Sequence, residues 1–268
     1  MMQSSSNTKI TLAVSLLLVS IMACSSLNAY SAPAVTSTPT SAPLATATAV
    51  PLYRQVQLTS VNFDDSGQSP EDYQITAQIP SLTGSNDPRV TAFNQATDAL
   101  VKGAVDDFKK NMNQLAPPPI QATSTFDMRY TLLSSPGNIY SIKFESEGYV
   151  SGAAHPYHLT YTYNYDLEQG RELALSDLFM PNTDYLETIA NYCAAQLSTR
   201  DIGFDMFQQG AAPMPENYKN WNIAPEGLMI TFDEYQVAPY AAGPQTVIVP
   251  YAELQPMINS QGPLENLQ

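Results

Sequence analysis

Apolar residues at every second position mark the first clear element of the chain. Tyr73, Ile75, Ala77 and Ile79 alternate with Gln74, Thr76 and Gln78, the signature of a half-buried strand, and Pro80 is expected to end it. Asp87-Pro88 then supplies an N-cap and a first-turn proline. Val90, Phe93, Thr97, Leu100, Val101, Ala104, Val105 and Phe108 fall on one helical stripe, which Pro117-Pro118-Pro119 prevents from continuing. Three long strands are predicted near 123–133, 139–149 and 158–166, with Ser135-Pro136-Gly137-Asn138 turning the first pair into a hairpin. In the third, Leu159, Tyr161, Tyr163 and Tyr165 share one face, and His158, Thr160, Thr162 and Asn164 the other. A second helix begins near Asn182-Thr183, with Leu186, Ile189, Ala190, Cys193 and Leu197 along its stripe. Strands near 228–232 and 246–249 are expected to complete one antiparallel sheet that both helices cover on one face. The predicted fold class is α+β, an antiparallel β-sheet packed with two main helices.

The segment before this globule follows another pattern. Lys9 is the only charged residue before Arg54, and it precedes a 13-residue, largely apolar stretch from Ile10 to Met22. The stretch is shorter than the roughly 20 residues a spanning helix needs, and its order is that of a secretory signal. Ile21-Met22-Ala23-Cys24 resembles a bacterial lipobox, which implies lipidation of Cys24; an ordinary signal peptide cut near Ala29 or Ala32 would leave Cys24 incidental. From Ser25 to Pro51 the chain is uncharged and mostly Ser, Thr, Ala, Pro and Val, too poor in apolar bulk to offset the entropy of ordering. Residues 1–23 are therefore expected to be a lipoprotein signal peptide, and 24–51 a lipidated cysteine with a flexible tether preceding the folded part. That places the protein outside the cytoplasm, held at the bacterial envelope membrane by its N-terminal lipid.

Charge and cysteine count narrow the partners. The chain carries 25 acidic and 11 basic residues, a formal −14, and loss of Lys9 on cleavage makes it −15. This argues against nucleic acid and anionic polymers, and is compatible with a cationic partner. With Cys24 committed to lipid, Cys193 has no disulfide partner and reads as a small buried hydrophobe. Val61-Asn62-Phe63-Asp64-Asp65 resembles the Thr-Phe-Asp-Asp motif of metal-dependent polysaccharide deacetylases, and His155-Pro156-Tyr157-His158 holds the only two histidines. In that enzyme class the metal histidines are four apart with the proline after the second; here they are three apart with the proline after the first. A catalytic zinc also wants three protein ligands. No metal or cofactor is expected, and no Gly-x-Ser-x-Gly elbow or phosphate-binding glycine loop appears.

Longer stretches resemble a known family. Tyr73-Gln74-Ile75 through Ile79-Pro80-Ser81-Leu82, the opening Val90-Thr91-Ala92-Phe93-Asn94, Gly152-Ala153-Ala154-His155-Pro156, the run Asn164 to Gly170, and Leu175-Ser176-Asp177-Leu178-Phe179 are similar to the accessory module of PdaC-type wall-polysaccharide deacetylases. The run Phe232 to Gly243, then Val249-Pro250-Tyr251-Ala252-Glu253-Leu254, resembles its usual companion domain. The pair also forms the ectodomain of RsiV-type anti-sigma factors, which sense lysozyme by binding it. The resemblance implies an N-terminal module over 52–170 and a C-terminal RsiV-like module over 171–262 in one continuous globule, with 263–268 as a tail. A deacetylase would need an added catalytic barrel, and an anti-sigma factor a cytoplasmic segment and a spanning helix; neither is expected here. The expected function is noncatalytic binding or sensing of a wall glycan or of a cationic protein such as a lysozyme. The alternatives are a hydrolase acting on envelope polysaccharide and a structural or assembly lipoprotein. Contacts are expected from two loops rich in aromatics, Tyr149 to His158 and Tyr235 to Gly243, with Tyr149, His155, Tyr157, His158, Tyr235 and Tyr240 as candidates.

Overall fold

Helix α1 (Pro88–Gln114) opens where the sequence places it, because the Asp87 carboxylate accepts from the backbone N–H of Arg89 at 2.9 Å. The computed structural model describes residues 50–68, 71–114, 122–134 and 137–265. The expected signal peptide, Cys24, nearly all of the expected tether, Pro117 to Pro119 and Ser135-Pro136 lie outside the described residues. Around α1 are β1 (Gln57–Gly67), β2 (Tyr73–Thr83), β3 (Ser124–Ser134), β4 (Ile139–Tyr149), β5 (Tyr157–Asp166) and the short β6 (Arg171–Glu172). They form one sheet in the order β1-β2-β3-β4-β5-β6. Every pair is antiparallel except β2 with β3, which run parallel because α1 carries the chain back between them. The stripe on α1 packs against this sheet: Phe93 sits edge-on to Tyr163 and Tyr165, and Phe108 against Phe126.

After β6 come α2 (Tyr185–Ser198), β7 (Trp221–Ala224), β8 (Gly227–Phe232), β9 (Gln245–Pro250) and the one-turn α3 (Tyr251–Leu254). Ile189, Cys193 and Leu197 of α2 share a second buried cluster with Ile223, Leu228, Ile230, Phe232, Val247 and Val249. The class is α+β, with an antiparallel-rich sheet and two main helices. The strands at 228–232 and 246–249 were expected to complete a single sheet with the others but do not: with β7 they make a separate three-stranded sheet. Each helix therefore covers its own sheet. The two bodies meet through a buried polar network. Ser141 Oγ donates to Asn164 Oδ1 at 2.6 Å and accepts from the Ile223 N–H at 2.9 Å, and Asn164 Nδ2 donates to the Trp221 carbonyl at 2.8 Å.

Two further differences have local causes. Pro80 does not end β2, which runs on to Thr83. The β2–β3 pairing stops at Ala77, so Pro80 has a neighbour on one side only and its missing N–H costs no ladder bond there. The edge of β2 left behind by β3 is taken over by α1: Asn94 bonds both the N–H (2.7 Å) and the carbonyl (2.9 Å) of Leu82, and Thr97 Oγ1 donates to the Pro80 carbonyl at 2.8 Å. The deacetylase-like run Val61 to Asp65 lies within β1, an edge strand in antiparallel register with β2.

Candidate cleft between the polar sheet face and the Asp233–Pro244 loop

The two faces of β5 meet different surroundings. Tyr161, Tyr163 and Tyr165 point to α1, where burial pushes the Tyr161 phenol up to about 12 and the Tyr163 phenol higher still. Leu159, expected in the same apolar row, is 38% exposed. The opposite face, carrying His158 and Thr160, turns to the C-terminal body. Since β6 pairs with β5 only at Tyr165 and Asp166, the rest of that edge needs other acceptors. Two consecutive carboxylates supply them. Asp233 Oδ1 accepts from the Thr160 N–H at 3.3 Å and Glu234 Oε2 from the His158 N–H at 3.2 Å. Glu234 also lies 2.7 Å from His158 Nδ1 through Oε1, a spacing that fits a ring N–H donating to a carboxylate; its side chain is 8% exposed. His158 Nε2 is 3.6 Å from Glu147, directly opposite on β4.

Beyond Glu234 the loop forms an aromatic wall. Tyr240 stacks between His155, at 3.9 Å between ring centroids, and Tyr235, at 5.8 Å. Its hydroxyl donates to the Pro156 carbonyl at 2.8 Å, so the wall is tied to the segment entering β5. Desolvation, with Glu234 nearby, raises the Tyr240 phenol and keeps it a donor. Tyr235 is 57% exposed and adopts φ +63°, a conformation that disfavours a bulky side chain, at a tight turn where the Gln236 N–H reaches the Asp233 carbonyl at 3.1 Å. Between the wall and the polar face of β3 to β5 lies a cleft of about 770 Å³, bordered by Asp127, Arg129, Glu145, Glu147, His158, Glu234 and Tyr240.

The expected contact residues are thus divided. His155, His158, Tyr235 and Tyr240 come together at the cleft or its wall. Tyr157 does not: its ring lies over Gly148, the residue opposite, on the α1 side of the sheet, where a Cβ on Gly148 would meet the ring at 2.4 Å. Tyr149 is half-buried one step along β4 from Glu147 on the same face, outside the cleft lining. The carboxylates of Glu145, Glu147 and Glu234, with Asp127 and Arg129, were not singled out from the sequence. Alternation of exposed acids along β4 was the available signal. Among the described residues no group of three or more His, Cys, Asp or Glu side chains is placed to hold a metal ion, and no helix is long and apolar enough to cross a membrane.

Residues 176–252 match the family described as "Protein of unknown function (DUF3298)". This DUF3298 segment supplies Asp233, Glu234, Tyr235 and Tyr240, while the facing strands β3 to β5 precede it, so the cleft lies along its boundary. The chain is 25% identical over 175 residues to the peptidoglycan-N-acetylmuramic acid deacetylase PdaC of Bacillus subtilis, a match covering 63% of this chain and 37% of that protein. It is 24% identical over 108 residues to the immunogenic protein MPT64 of Mycobacterium tuberculosis, 40% of this chain and 47% of that one. The chain thus spans between a third and a half of these curated relatives. A DUF3298 family member from Bacteroides fragilis superposes with a TM-score of 0.60 at 17% identity, covering 80% of this chain and 97% of that one. A DUF3298 family protein from Pseudomonas aeruginosa gives 0.53 at 16% identity, covering 76% and 94%. At these identities the likeness establishes a shared fold.

Proposed function

We propose that this protein is a noncatalytic binding module of the bacterial envelope and that the cleft receives a wall glycan. The observation that carries this reading is the pairing of an exposed aromatic stack, His155–Tyr240–Tyr235, with a floor of polar side chains at its foot. Sugar rings present an apolar face and a rim of hydroxyls, and ligand sites commonly combine apolar walls with a few placed polar groups. The likeness to a peptidoglycan deacetylase supports the substrate class and an extracytoplasmic location. Calorimetric titration of the purified protein with wall oligosaccharides should give saturable binding that Tyr240→Ala weakens at least tenfold without loss of fold. Normal binding by that variant would reject the cleft.

A cationic protein, such as a lysozyme, is the second reading, favoured by 25 acidic against 11 basic residues. Long-range attraction of that kind acts chiefly on association rate and is screened by salt. Titrating lysozyme and oligosaccharide at low and high salt separates the two, since the protein partner should lose far more affinity. The anchor belongs to the same proposal: Cys24 carries lipid and holds the folded part at the membrane. Cys24→Ser should release the protein into the soluble fraction or leave it uncut. An unmodified N-terminus near Tyr30 in mass spectrometry would reject lipidation.

A further inference from the structure

The strand register aligns side chains in a row across the first sheet. Asp64 lies opposite Thr76, Thr76 opposite Asp127, Asp127 opposite Glu147, and Glu147 opposite His158. Directly opposed residues project to the same side, here the side away from α1 that floors the cleft. Four strand-to-strand steps of ~4.8 Å make the row about 19 Å long. A second depression of about 220 Å³ lies over β1 to β3 and shares Asp127 and Arg129 with the main cleft, so the two adjoin. The middle of the row is pinned by neighbours: Asp127 accepts from Thr76 Oγ1 at 2.7 Å and from Arg129 Nε at 2.9 Å.

Charge along this face is unbalanced. Its two cations are already held, Arg129 by Asp127 and Lys143 by Glu145 at 2.8 Å. Asp64 has no ion-pair partner among the described residues, and Glu147 has only His158. These two carboxylates lie three strand steps apart, about 14 Å. A ligand spanning the row therefore meets uncompensated negative charge at both ends of that interval, and one carrying amines along its length complements it.

We propose, building on the glycan reading of the cleft, that the site continues along this row to β1 and takes an extended amine-bearing amino-sugar chain lying across the strands. The aromatic wall holds one end of the chain. The carboxylates of Glu147, Asp127 and Asp64 accept from its amines and hydroxyls.

The test is calorimetric titration of the full protein, at mildly acidic pH, with β-linked glucosamine oligomers from dimer to hexamer and with their N-acetylated counterparts. The glucosamine hexamer should bind roughly tenfold or more tighter than the dimer, and tighter than the N-acetylated hexamer. The double variant Asn62→Ala, Asp64→Ala, on the exposed side of β1, should bring hexamer affinity down toward that of the dimer and leave dimer binding and the melting temperature unchanged. Affinity independent of length, no preference for the free amine, or indifference to the β1 variant would overturn the extended site while leaving the cleft as a glycan site. No binding of either series by folded protein would overturn the glycan reading itself.

Discussion

Tyr240 shows how one side chain can serve both architecture and ligand. Its ring makes the centre of the aromatic stack, and its hydroxyl ties the loop to Pro156. Tyr240→Phe keeps the ring and loses only the tether, so it should retain glycan binding within about twofold, whereas Tyr240→Ala removes the wall; paired titrations separate ring from hydroxyl. Cys193 is the opposite case. It is fully buried among Ile189, Leu197 and the β-strands of the second body, and burial pushes its thiol up to about 12. A neutral, inaccessible thiol is a poor nucleophile. Thiol reagents should leave it unmodified in native protein and label it on unfolding; rapid native labelling would contradict the packing. Cys193→Ser, which buries a hydroxyl in that site, should cost about 1–3 kcal/mol in denaturant unfolding.

At the scale of elements, side chains repeatedly finish what strand pairing leaves undone. Where β3 diverges from β2, Asn94 and Thr97 of α1 bond the freed backbone groups of Leu82 and Pro80. Asn94→Ala should therefore leave a buried N–H and carbonyl without partners and cost about 1–3 kcal/mol; chemical denaturation measures it, and a change under a few tenths would mean that water replaces the bonds. On the far side, Asp233 and Glu234 do the same for the edge of β5. Those carboxylates place the loop, so the aromatic wall and the strand edge are positioned by one short stretch of chain.

For the molecule as a whole, two hydrophobic clusters are joined by the network of Ser141, Asn164, Asn222 and the Ile223 backbone. Ser141 bonds three of these groups, so Ser141→Ala should destabilise by about 2–3 kcal/mol and lower one shared melting transition. Resolution into two separate transitions would mean that the bodies fold independently. Alkaline pH should also weaken the fold. Burial raises Cys193 from an ordinary 9.0 to about 12, and Tyr161 and Tyr251 from 10.0 to about 12. Because the unfolded chain gives up these protons first, the stability they contribute is complete below about pH 9 and falls as pH rises toward 12. Melting temperature followed against pH should decline through that window.

Legibility in the sequence followed how local the physics was. The alternation at Tyr73 to Ile79, the stripe from Val90 to Phe108 and the hairpin of β3 with β4 were readable because each rests on burial or turn geometry within a few residues. The strand β1 was not, since an edge strand is mostly exposed and Val61 and Phe63 leave little alternation to detect. Pro80 misled because a proline breaks a ladder only where a second neighbour exists, and pairing on that side stops at Ala77. The division into two sheets was likewise invisible, as alternation reports that a strand is half-buried and says nothing about its partner. The same holds for the candidate site. His155, His158, Tyr235 and Tyr240 were recognisable as polar or aromatic residues in shaped loops. Their meeting with Glu147 and Glu234 depends on contacts such as His158 to Glu234, 76 residues apart, and Tyr240 to Pro156, 84 apart. Residue type and local period set which elements form. Only packing of the second body against β5 decided which face became a cleft, because that choice is made by hydrogen bonds between distant segments that no local pattern encodes.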